Sequence, residues 1–78
     1  MSVFDIIKRL EHEKVIEPTE LEVLQRYRID PLYLFMETPT LFQSIRPEVP
    51  SLLVYQGEVY IVKNPERVKE ALNLRRCQ

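Results

Sequence analysis

Leu52-Leu53-Val54-Tyr55-Gln56-Gly57-Glu58-Val59-Tyr60-Ile61-Val62 is the stretch on which the reading of the whole chain turns. Gly57 is the only glycine in 78 residues, and glycine reaches positive φ without a Cβ penalty. Runs rich in Val, Ile and Tyr flank it, so the sequence predicts a β-hairpin over 51–63 that turns at Gln56-Gly57. A two-residue loop pairs Val54 with Val59 and Leu52 with Ile61, which gathers these four on one aliphatic face. Leu53, Tyr55, Glu58 and Tyr60 then make an amphipathic face that meets water or a partner. A turn with Gly57 as a G1 bulge would instead place Val54 opposite Glu58. The first register gives the cleaner core face, although glutamine is a poor first residue for a type I′ turn.

Outward from the hairpin the chain reads as helical. Ser2 is an N-cap with Asp5 three residues on, and Val3, Ile6, Ile7 and Leu10 follow helical spacing, so a first helix runs to about Lys14. Val15-Ile16 is a β-branched pair suited to a lone bridge onto the hairpin, and Pro18 stops any continuation. Thr19-Glu20-Leu21-Glu22 has the form of a capping box for a second helix with Leu21, Leu24 and Tyr27 inward. Asp30-Pro31 starts a third, which carries five apolar residues in a row, Leu32-Tyr33-Leu34-Phe35-Met36. Thr38-Pro39 breaks it, and Thr40–Ile45 is expected to add one or two more helical turns. Prolines 47 and 50 make the approach to the hairpin extended. Asn64-Pro65-Glu66 caps a C-terminal helix with Val68, Ala71 and Leu72 as its stripe.

Composition bounds the function. A chain of 78 residues with 45% hydrophobic and 29% charged content suits one soluble globular domain with a modest core. No apolar run approaches the ~20 residues of a membrane span, and Asp5, Lys8 and Arg9 interrupt any secretory signal. The single cysteine, Cys77, has no internal partner, which fits a reducing cytoplasm. Net charge is −1 but unevenly spread. Residues 1–62 hold six basic and ten acidic side chains, net −4, whereas 63–78 hold five basic and two acidic, net +3.

Ile6-Ile7-Lys8-Arg9-Leu10, Val15-Ile16, Thr19-Glu20-Leu21-Glu22-Val23-Leu24 and the Leu52–Val62 wing occur in an order that resembles winged helix-turn-helix domains. The resemblance rests on the order of elements and implies an α+β, winged-helix-like fold with three to four helices and one β-hairpin. It also implies that the third helix enters the DNA major groove with basic and polar side chains. This chain departs from that pattern. From Ile29 to Ile45 it has no Lys or Arg, and both charges there, Asp30 and Glu37, are acidic. Phosphate neutralisation by Lys and Arg supplies most non-specific DNA affinity, so the likeness extends to fold more than to function.

Signals for catalysis are weak. One glycine is too few for a phosphate-binding loop, and neighbours on a helix diverge by about 100°, so Glu11-His12-Glu13 cannot converge on one metal ion. The sequence therefore predicts no enzyme, no cofactor, no metal and no small-molecule substrate. The Leu32–Met36 run has two readings: core packed between the first helix and the hairpin, or an exposed patch that meets protein. The predicted function is protein–protein interaction, self-association as a homodimer included, through Leu32, Tyr33 and Met36 and the tyrosine face of the hairpin, Tyr55 and Tyr60. The alternative is a DNA-binding regulator that uses the wing and the basic C-terminal helix: Lys63, Arg67, Lys69, Arg75 and Arg76.

Overall fold

The computed structural model describes residues 2–46 and 48–73. Its elements run α1 (Val3–His12), β1 (Ile16–Thr19), α2 (Val23–Arg26), a 3-10 helix (Pro31–Phe35), β2 (Thr40–Phe42), β3 (Ser51–Tyr55), β4 (Glu58–Val62) and α3 (Pro65–Leu72). All strands join one antiparallel sheet in the order β1-β4-β3-β2.

The hairpin forms as its sequence dictates. Leu52 pairs with Ile61 and Val54 with Val59. Gln56 at φ 46° and Gly57 at φ 81° give the two left-handed residues of a type I′ turn. Helix α1 begins at Ser2, whose hydroxyl accepts from the Asp5 N–H at 3.2 Å. It ends at left-handed Lys14, where the Val15 N–H reaches back to the Leu10 carbonyl at 3.0 Å. Asn64 caps α3 by accepting from the Arg67 N–H at 3.2 Å.

Elsewhere the expectation is corrected. The sheet has four strands, not one hairpin. Ile16–Thr19 is a full strand against β4 and takes Thr19 out of the capping box, so α2 is a single turn whose N-cap, Glu22, makes no side-chain cap bond. Strand pairing outweighs the local cap because β4 would otherwise present a row of unpaired N–H and C=O groups. Thr40–Phe42 is likewise a strand, paired with Val54, Leu53 and Leu52, where helical turns were expected. The third helix is a short 3-10 helix of five residues.

The sheet is covered on both faces, which corrects the reading of the hairpin's second face. Leu53, Tyr60, Ile16 and Val62 pack with Ile7 and Leu10 of α1 and Val68 of α3. Leu52, Val54 and Val59 pack on the opposite side with Leu24 of α2 and Leu34 of the 3-10 helix. Tyr60, expected outward, is only 6% exposed, and Tyr55 packs half-buried against the same helices. On the aliphatic face Leu52, Val54 and Val59 are buried as expected, and Ile61 packs beside them only half-buried.

Burial therefore orders the effects of truncation. Tyr60→Ala should cost about 3–5 kcal/mol in urea unfolding, the usual range for a buried aromatic, and Ile61→Ala clearly less. The opposite order would place β4 the wrong way up. Gly57→Val should cost more than ~1 kcal/mol. Nothing lies within 4 Å of a Cβ built there, so that loss is a backbone effect alone, and a neutral substitution would rule out the positive φ.

Candidate interaction surface

Asp30 and Pro31 start the segment that carries the exposed apolar side chains. The Asp30 carboxylate accepts from the Leu32 N–H at 2.9 Å, and Pro31 occupies the first turn, where no N–H is needed. A 3-10 helix repeats every three residues, so its side chains stand in three columns. Leu34 points into the core beside Leu52, Val54 and Val59. Leu32 and Phe35 form the column farthest from it, 71% and 76% exposed. Tyr33 and Met36 form the third and are also exposed.

Two contacts fix this segment to the sheet. The Gly57 N–H, which the hairpin ladder leaves without a partner, donates to the Leu34 carbonyl at 2.7 Å. The Tyr33 ring meets Phe42 of β2 edge-on, with centroids 5.1 Å apart and planes at 88°. Beyond β2, the Ser44 N–H donates to the buried Ser51 hydroxyl at 3.1 Å. The adjoining Ile45 is left 98% exposed. Exposed apolar side chains thus stand at both ends of β2, Phe35 and Met36 with Leu32 at one end and Ile45 at the other.

The predicted interface residues are thus divided. Leu32, Tyr33 and Met36 come together on the 3-10 segment, whereas Tyr55 and Tyr60 lie on the opposite face of the sheet, against the helices. Sequence reasoning missed Phe35 and Ile45. A three-residue period would have grouped Phe35 with Leu32, but no local signal marks Ile45.

The basic residues behave differently from an open cationic face. Lys63 lies 3.3 Å from Glu17, Arg67 lies 3.3 Å from Glu13 and 3.8 Å from Glu70, and Lys69 lies 3.6 Å from Glu66. Arg75 and Arg76 fall outside the described residues. No three His, Cys, Asp or Glu side chains among the described residues are grouped to hold a metal ion, and no helix among them is long and apolar enough to cross a membrane. Compared with protein-family models, with curated proteins and with solved structures, the chain matches none.

Burial raises the Tyr60 phenol above its ordinary pKa of 10.0, with the nearby Glu58 and Glu11 charges adding to the shift. Between the unfolded and the raised folded value, the unfolded chain has lost a proton that the folded chain keeps. Stability should therefore fall as pH rises from about 10 through the folded pKa. Tyr60→Phe should flatten that decline in alkaline denaturation curves. Identical curves for the two proteins would refute a burial-driven shift at Tyr60.

Proposed function

We propose that this chain is a small non-enzymatic cytoplasmic module that makes protein–protein contacts, self-association included, through the surface of its 3-10 segment. The observation that carries this reading is the exposure of Leu32, Tyr33, Phe35 and Met36 around the single anchored side chain Leu34. Soluble monomers seldom show large continuous apolar patches, and Tyr, Phe and Met are enriched in interface cores. A domain of this size draws only about 3–5 kcal/mol from one core, so a partner that covers the patch adds stability.

The winged-helix likeness belongs to a second reading. There the β3–β4 hairpin is the wing, and duplex DNA meets Lys63, Arg67 and Lys69 with the basic residues beyond them. The +3 balance of residues 63–78 favours it. Against it stand the ion pairs at all three of those described cations and the short acidic-flanked 3-10 helix in place of a recognition helix. The interaction reading is therefore preferred.

Leu32→Glu combined with Phe35→Lys tests it. Both side chains are largely exposed, so urea stability should stay within about 0.5 kcal/mol of wild type. Association followed by sedimentation velocity should weaken at least about tenfold, about 1.4 kcal/mol. A wild-type chain that stays monomeric and binds random duplex with a steep salt dependence would displace this reading. In that event Arg67→Ala should lower the log-affinity versus log-salt slope by up to about 0.9.

A further inference from the structure

The two edges of the sheet are built differently. On β1 the Lys63 N–H donates to the Val15 carbonyl at 2.8 Å. Odd-numbered residues of β1 therefore bond to β4, and Ile16 and Pro18 turn their backbone groups outward. Proline has no N–H to offer there, and Glu17 and Glu20 add charge beside it. Both are devices that stop an edge from pairing with another chain.

The β2 edge has neither a charge nor an outward-facing proline within the strand. In a two-residue hairpin Tyr55 and Glu58 exchange hydrogen bonds, so Leu52 and Val54 of β3 bond toward β2. Thr40 and Phe42 take those bonds, and the N–H and C=O of Leu41 face out. From Thr38 to Ile45 the chain carries no charged residue. Exposed Phe35 and Met36 line a depression with Thr40 at one end of the strand, and Phe42 and Ile45 line another at the other end.

Building on the interaction reading above, we propose that the occupant of this edge is a second copy of the same chain, paired antiparallel about Leu41 to make a continuous eight-stranded sheet. A two-fold axis at Leu41 lets the two Leu41 residues exchange a pair of backbone hydrogen bonds. Beyond the paired residues the same two-fold relation carries the 36–37 end of one copy toward the 45–46 end of the other. The Phe35–Met36 end of each copy then meets the Ile45 end of the other. The charges that bound the neutral span are Glu37 and Arg46, both exposed. The same symmetry brings each beside its opposite across the axis, twice. An arbitrary strand would satisfy Leu41 but would not have to match both the apolar ends and the charges; this chain's own sequence does. Pairing stays short because Pro39, buried and without an N–H, ends it.

The test uses the whole chain. Glu37→Arg and Arg46→Glu each put like charges together twice, so each variant alone should dimerise about tenfold more weakly than wild type. An equimolar mixture of the two restores both opposite-charge contacts in a heterodimer. It should recover association to within about threefold of wild type, and less so at high salt. Independently, hydrogen exchange at the wild-type Leu41 amide, followed by NMR, should slow as concentration rises through the dimer range. A dimer in which mixing gives no recovery, or in which Leu41 exchanges equally fast at every concentration, overturns the edge pairing and leaves the 3-10 surface as the interface. A chain that stays monomeric to about millimolar concentration overturns the self-pairing itself. The broader reading then fails separately if no protein partner is lost with Leu32→Glu and Phe35→Lys.

Discussion

The type I′ turn at Gln56-Gly57 is the constraint on which the rest of the structure depends. A two-residue turn sets the parity of β3 against β4, and side chains alternate between faces along a strand, so a slip by one residue would exchange the two faces completely. Here both faces are buried. Leu53, Tyr60 and Val62 must meet α1 and α3 while Leu52, Val54 and Val59 meet α2 and the 3-10 helix. A one-residue slip would break both clusters at once. The turn also supplies the amide that fastens the 3-10 segment, through Gly57 N–H to Leu34 C=O. The same turn thus sets the core and positions the exposed side chains of the 3-10 segment.

Having one glycine has consequences elsewhere in the chain. Lys14, Arg28, Gln56 and Asn73 all hold positive φ, a region L-residues enter at a cost. Lys14 and Arg28 play the same part: each follows a helix end and lets the next N–H reach a carbonyl in the last turn, Val15 to Leu10 and Ile29 to Leu24. These closures keep α1 and α2 short and turn the chain sharply into the elements that follow. The backbone strain is offset by packing on the sheet, since Leu10 and Leu24 are themselves core residues.

Electrostatics separates the two sides of the molecule. Around α3 the described cations are drawn into pairs with Glu13, Glu17, Glu66 and Glu70, and exposed pairs of this kind contribute little to stability. They do occupy the charges that a polyanion would need. The 3-10 segment and β2 present the contrary surface, nearly neutral and apolar, beside a short edge that Pro39 closes at its start. The asymmetry between the Pro18 edge and the Leu41 edge gives the interaction reading a direction that composition alone does not.

By itself the sequence determined the parts whose signals are local. Gly57 between alternating β-prone runs specified the hairpin and its register, Ser2 and Asn64 specified the starts of α1 and α3, and Asp30-Pro31 marked where the 3-10 turn begins. Only the tertiary structure decided what lies between. Thr19-Glu22 satisfies a capping rule, yet Thr19 bonds to β4 because an unpaired ladder is costlier than a lost cap. Thr40-Leu41-Phe42 carries no local signal for a strand, and its state is set by pairing with β3, whose partner residues lie ten to fourteen positions further along the chain. Tyr60 looks amphipathic in sequence and is buried because α1 and α3 cover the face it shares with Leu53. The Leu32–Met36 run could not be sorted into core and surface until Leu34 was anchored under Gly57. In each case the deciding partner is remote in sequence, and long-range hydrogen bonds and burial outweigh propensities worth a few tenths of a kcal/mol to about 1 kcal/mol per residue.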